Sequence, residues 1–269
     1  MAKQMAVLHI KAQKTFSKGE GDEPERRGYD ENKYEWLIRK DKDNHYDYSR
    51  KYLNFEIVKG KMMSQCSQER TLKERIEDRL EELGFKHYKD GSDNAPNFLM
   101  DFQISGSRKT MRKLAFGDQN VCYDLTKRNT GIRRMPEIEK WAMDTYKWLC
   151  KKYGEENIIG FNVHLDEMNP HIHAQIIPVA EVKKRGRVKI GEDRGTLKTV
   201  SYYGVVGRTP QERKQYEENL HTDYHLQVGF KYGLERGEFF DNLSDEEKVL
   251  RGHVNKRQLD FVNKLKSMI

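Results

Sequence analysis

Apolar positions along the chain follow two periods, and their succession predicts an α/β (α+β) fold. Residues 5–10 form a short apolar run that reads as a buried strand, expected at the centre of a sheet. Residues 53–58 alternate and read as a strand, and residues 98–105 as a further strong one. Two β-branched runs, 158–165 and 171–179, are joined by the short polar link 166–170 and predict neighbouring antiparallel strands. Between the strands the period changes. Leu72, Ile76, Leu80 and Leu83 recur at three- and four-residue steps within 67–83, an amphipathic helix stopped by Gly84. Pro136 opens a helix whose apolar face is Ile138, Trp141, Ala142, Tyr146 and Leu149. Thr209 as N-cap and Pro210 in the first turn open another over 210–228, ended by Gly229. The polar stretch 11–32, with Gly19, Gly21, Pro24 and Gly28, reads as a loop, 34–39 as a helical turn and 181–194 as a basic ribbon or loop. A charged helix is expected over 245–269.

Composition narrows the picture. Only 36% of the 269 residues are hydrophobic and 35% are charged, so the core is expected on a few strands and helix faces. Lys and Arg outnumber Asp and Glu, 50 to 43, and the resulting +7 suits a polyanionic partner such as nucleic acid. Cys66, Cys122 and Cys150 are far apart and odd in number, which argues against a disulfide framework or a structural zinc cluster and for a reducing cytoplasm. No apolar run is long enough to span a bilayer, and the first ten residues are too short and mixed for a signal peptide.

The chemistry concentrates between His164 and His173. His171 and His173 are two apart on a strand, so their side chains share a face; His164 ends the preceding strand, across the hairpin. Three neutral imidazoles from two neighbouring strands predict a metal site with open coordination positions, as catalysis requires. Asp166 and Glu167 adjoin it, and Glu167 is a candidate catalytic residue that ligates the metal or orients a ligand. Arg50 is a candidate to hold a phosphate in a bidentate grip, and Asn54 and Glu56 to bind substrate or orient a histidine. Lys183, Lys184, Arg185, Arg187 and Lys189 form a basic run suited to DNA beside such a site; Lys127, Arg128, Arg133 and Arg134 are a second patch.

The stretch His164, Asp166, Glu167, Pro170, His171 and His173, in the order HxDExxPHxH, resembles the metal motif of the Mob/Pre (MobV) mobilization relaxases, members of the HUH endonuclease superfamily. Ser49-Arg50 followed by Leu53-Asn54-Phe55-Glu56, and the segment 232–238, are similar to two further motifs of that family. The resemblance covers roughly residues 5–238. It implies a central five-stranded antiparallel relaxase sheet with flanking helices, a relaxase domain over 1–240 and a helical C-terminal extension over 241–269. Relatives run on into a long coiled coil, so the chain reads as truncated. The implied metal is Mn2+ or Mg2+. The implied activity is nicking of an origin of transfer with covalent attachment to the 5′ end, for mobilization of a plasmid or transposon. Implied partners are single-stranded and hairpin origin DNA, transfer-coupling machinery and a second copy of the chain, in the bacterial cytoplasm.

Relatives carry His-Asn-Glu-Arg before the Ser-Arg motif, its His being the nucleophile. The similar stretch here is taken as Tyr29-Asp30-Glu31-Asn32-Lys33, which makes Tyr29 the candidate nucleophile, with His45, Tyr46, Tyr48 and Tyr34 as rivals. A replication-initiator nickase and a DNA-binding regulator without cleavage are the alternative functions.

Overall fold

The computed structural model describes residues 5–41, 45–87, 92, 95–184 and 195–237. The described residues up to Glu235 gather into one compact unit. The helix expected over 245–269, and with it the extension placed at 241–269, lies outside the described residues.

A six-stranded antiparallel sheet organises the chain. Its strands are β1 (Ala6–Gln13), β2 (Phe55–Val58), β3 (Lys61–Ser64), β4 (Leu99–Gly106), β5 (Ile158–His164) and β6 (His171–Ile176), in the order β1-β4-β6-β5-β2-β3. That is one strand more than the five expected. The extra one is β3, a short, exposed return of the hairpin from β2, and its Lys-Met-Met-Ser sequence carries no alternation. The first strand stands at the sheet edge, not the centre. Among the described strands it pairs with β4 alone, and its burial alternates, Val7 being 48% exposed while Leu8 is buried. The start of this edge is covered by the returning chain, the Ala6 N–H donating to the Glu235 carbonyl at 2.7 Å.

Alternation sorts the two faces. Phe55, Ile57, Met100, Phe102, Ile104, Phe161, Val163, Ile172, Ala174 and Ile176 enter one core. Against it pack α4 (Arg108–Phe116), α5 (Pro136–Tyr153) and α7 (Pro210–Gln227), contributing Met111, Trp141, Leu149, Leu220 and Tyr224. The expected apolar face of α5 is thus used as read. On the other face stand Asp101, His164, His171, His173 and Gln175, with α1 (Lys18–Glu25) and α3 (Leu72–Glu82) beside them. The α3 stripe Leu72, Ile76 and Leu80 closes a second cluster with Phe16, Leu99 and Ile177.

Residues 11–32, expected to be a loop, hold the end of β1, all of α1 and the start of α2 (Glu31–Lys40). A capping box, Ser17 with Glu20, starts α1, and its buried residues are Gly21, Pro24 and Glu25; no apolar stripe marks it. The predicted turn at 34–39 is part of α2, capped by the Asp30 side chain on the Lys33 N–H. A short ribbon of β7 (Val179–Lys183) and β8 (Thr196–Val200) follows the main sheet, and α6 (Tyr202–Val206) leads from it to α7.

Candidate metal centre

Register brings the histidines together. His164 is the cross-strand partner of His171, and Asn162 that of His173, so the three rings share one sheet face at the hairpin end. Their centroids lie 4.7–5.1 Å apart, and one ring nitrogen from each falls within 4.8 Å of the others. His171 Nδ1 donates to the Asn169 carbonyl at 2.8 Å, which leaves Nε2 bare, 2.9 Å from His173 Nε2. In the same way His164 Nε2 donates to the Pro24 carbonyl at 2.7 Å and leaves Nδ1 as an acceptor. Carbonyls thus fix the tautomers that a metal needs on two of the three rings. Burial, and then the neighbouring imidazoles or carboxylate, sets their titration: desolvation holds His171 below its ordinary value and His173 well below it. Both are neutral, the ligating form, at neutral pH. Both polar atoms of the Asn162 amide, across from His173, lack a partner among the described residues.

The sequence reading missed Arg26, the cation at the heart of this site. It is 1% exposed and adopts a left-handed backbone, φ 52°, as the C-cap of α1. From there its guanidinium donates to Asp166 Oδ2 at 2.9 Å, to Glu23 Oε1 at 3.0 Å, to His164 Nδ1 at 3.1 Å and to Glu167. Burial works against ionised carboxylates, but Arg26 and His164 outweigh it at Asp166, which is held down to about 2. Glu167 is likewise held well below the usual range, burial being overcome by His171, His164 and Arg26. Its Oε1 stands 3.4 Å from His164 Nδ1 and 3.8 Å from His171 Nε2. The residues fit a divalent cation: three imidazoles in line-of-sight and an ionised carboxylate between two of them. His164 Nδ1 would exchange its Arg26 hydrogen bond for the ion.

Arg26 bonds the carboxylates of Asp166 and Glu167, whereas Asn32, in the stretch taken to hold the nucleophile, lies exposed on α2. Glu23 forms a second group of possible ligands with His164 and Glu167, again within 4.8 Å. Tyr29 is half-buried close by, with Arg26 5.7 Å from its ring centroid. Burial, and then the Glu23 carboxylate, raise its phenol. Among the rivals, Tyr34 is buried with its hydroxyl donated to Asp166 and its pKa pushed far up by burial and that carboxylate, so it stays protonated. His45 Nδ1 donates to the Tyr123 carbonyl at 2.7 Å. Tyr46 lies with its ring centroid 5.6 Å from the Arg26 guanidinium, and Tyr48 packs edge-on against Tyr34 at 5.3 Å.

Arg50 and Asn54 are corrected from DNA contacts to scaffold. Arg50 is fully buried. It donates to Asp47 Oδ2 at 2.8 Å and to the Leu165 and Glu167 carbonyls at 2.7 and 3.2 Å, so no donor fork faces outward for a phosphate. Asn54 Oδ1 accepts from the Leu165 and Asp166 N–H groups at 2.7 and 3.1 Å. Both hold the loop that carries Asp166 and Glu167. Glu56 is buried and accepts from the Ser67 N–H at 2.7 Å, anchoring the turn before α3. Of the basic run, Lys183 and Lys184 are exposed at the end of β7, while Arg185, Arg187 and Lys189 lie outside the described residues. In the second patch, Arg128 pairs with Glu31 and Arg134 with Glu139.

Comparison with known proteins follows the same lines. Residues 133–241 match the Mob_Pre family, described as plasmid recombination enzyme. The plasmid recombination enzyme type 1 of Staphylococcus aureus is 39% identical over 62 residues, which is 23% of this chain and 15% of the relative. A plasmid recombination enzyme of a Bacillus species is 28% identical over 90 residues, 33% of this chain and 21% of the relative. These matches span at most about a fifth of the relatives' length. The MobM relaxase domain, solved with manganese and origin-of-transfer DNA of plasmid pMV158, superposes with a TM-score of 0.56 at 17% identity. That likeness covers 96% of this chain and 98% of the other. Residues 133–241 thus match the plasmid recombination enzyme family model, and the chain as a whole has the fold of the MobM relaxase domain.

Proposed function

We propose that this chain is a metal-dependent relaxase that nicks one strand of an origin of transfer and remains joined to the 5′ end. The observation that carries the reading is the convergence of His164, His171 and His173 beside the ionised Glu167. A divalent cation held there, Mn2+ first and Mg2+ as the alternative, would supply positive charge against the non-bridging oxygens of the scissile phosphate. Manganese and origin DNA in the MobM structure support both assignments.

The chain's own groups would do the rest. The Tyr29 hydroxyl forms the new O–P bond, and the bond from phosphorus to the 3′ oxygen breaks, giving a phosphotyrosyl 5′ end and a free 3′ hydroxyl. The phenol is raised, so it needs a base, and Glu23, whose charge contributes to that shift, would take the proton. The phosphodiester energy stays in the covalent link, and rejoining needs no ATP. A second reading makes Glu23 itself the attacking group, favoured by its grouping with His164 and Glu167. Transfer-coupling machinery, self-association and a bacterial cytoplasmic setting accompany the relaxase reading.

The test is incubation with single-stranded origin oligonucleotide and Mn2+, followed by denaturing electrophoresis and mass spectrometry of the joined peptide. A link on Tyr29, abolished by Tyr29→Phe, supports the first reading. A hydroxylamine-labile link, abolished by Glu23→Gln, supports the second. Oligonucleotide binding with no adduct overturns both and leaves a regulator.

A further inference from the structure

Trp36 is 43% exposed on α2, although large aromatic side chains usually find cover. It belongs to a series. Lys33, Trp36 and Lys40 recur at steps of three and four, so they share one side of the helix, and Tyr29 lies just before its N-cap. Their groups alternate in space as well. The Arg26 guanidinium lies 5.7 Å from the Tyr29 ring centroid. Lys33 Nζ is 5.5 Å from that ring's centroid and 4.1 Å from the Trp36 centroid, and Lys40 Nζ is 4.9 Å from the Trp36 centroid. The opposite side of α2 is committed inward through the buried Tyr34, whose hydroxyl reaches Asp166.

We infer that this cation–aromatic ladder is a track for single-stranded DNA, along which the strand beside the scissile phosphate leaves the metal centre. The proposal rests on the relaxase reading and adds the path of its substrate. The inner end is fixed by Arg26, which bonds His164, Asp166 and Glu167. The outer end is about 15 Å away along the ten residues of α2, the reach of roughly four nucleotides at 3.4 Å each. A cation at each step with a ring between matches a chain that offers a phosphate and a flat base at each step. Each lysine covers a ring when no strand is bound. With a strand in place, the ammonium groups meet phosphates and Trp36 receives a base. A paired duplex hides its base faces, so the ladder selects the single strand.

Trp36 provides its own readout. Of the three tryptophans, Trp141 and Trp148 are buried, so emission changes on binding report Trp36. Fluorescein-labelled oligothymidylate, which has no origin sequence, is titrated against the whole chain while anisotropy and tryptophan emission are followed. Binding is expected to quench Trp36. Trp36→Ala is expected to weaken binding roughly 5- to 150-fold, the range of about 1–3 kcal/mol for one base stacked on one ring, and Trp36→Phe to retain most of it. Replacing Lys33 and Lys40 together by Ala should lower the slope of log Kd against log salt by about 1.4. Tyr203→Ala, which removes an exposed ring off the ladder, should leave both signals unchanged. Strand binding without a change in emission, or unchanged affinity in Trp36→Ala, overturns the proposal. Either result leaves the nicking reading intact, since that is judged by the origin adduct; conversely, an absent adduct with normal Trp36 quenching removes nicking and keeps the track.

Discussion

At the scale of single residues, Arg26 and the histidines are set against one another. The guanidinium pairs with two buried carboxylates, Asp166 and Glu167, and so cannot be deleted alone. Arg26→Met should destabilise the chain by about 3–5 kcal/mol, because the carboxylates remain in a site without their counter-charge. Urea denaturation of the metal-free protein checks this; a loss under about 1 kcal/mol would mean that the network is solvated and contributes little. The pH response has a defined sign. His171 and His173 are held below the ordinary 6.5, so below that pH the unfolded chain binds more protons than the folded one. Stability should therefore fall as pH drops from about 6.5 toward the lowered folded values, and a His173→Asn variant should show a flatter profile. Asp166, held at about 2, acts lower down: its contribution is present above the unfolded value and is lost as pH falls through that window. The three histidines were legible in the sequence because a period of two and a short hairpin leave one arrangement. Arg26 was not, since its partners are about 140 residues away and nothing local marks a left-handed helix cap as a metal-site cation.

At the scale of elements, packing around β5 decides how the histidine face is covered. Gly160 sits at the irregularity in the β5–β6 pairing. A Cβ there would lie 2.5 Å from Gln175 Oε1 and 2.9 Å from Leu72 Cδ1. Gly160→Ala should cost about 1–3 kcal/mol, because α3 must move away from the sheet or Gln175 must give up its bond to Asp101. A thermal scan detects it, and an unchanged midpoint would show that α3 rides loosely on this face. Elements whose periodicity faces a core, such as α3, α5, β4 and the β5–β6 hairpin, could be read ahead of the structure. Those fixed by other forces could not. A capping box and the burial of Gly21 and Pro24 specify α1, and β3 exists because its partner β2 offers an edge. In the Ser-Arg and Leu-Asn-Phe-Glu motifs the letters alone do not separate a phosphate contact from a supporting role. A buried arginine and asparagine bonding loop carbonyls and N–H groups have the same letters as a phosphate clamp, and only burial separates the two.

At the scale of the whole molecule, the centre ties together parts of the chain that are distant in sequence. The candidate ligands come from β5 and β6, Glu167 from the loop between them, Arg26 and the Pro24 carbonyl from α1, and Arg50 and Asn54 hold that loop from the segment before β2. An ion bound by the three imidazoles exists only when these parts are assembled, so binding free energy becomes folding free energy. Manganese at a hundred times its Kd should add about 2.7 kcal/mol, and the melting temperature should rise by roughly 5–11 °C. The rise should grow with the logarithm of manganese concentration, vanish on chelation, and be absent in His173→Ala. Calcium discriminates a site from general screening of charge, because it prefers six to eight oxygen ligands and three imidazoles serve it poorly. Equal shifts with calcium and manganese, or a shift that survives His173→Ala, would place the ion on surface carboxylates. The histidine cluster would then be a buried polar network and not a metal centre.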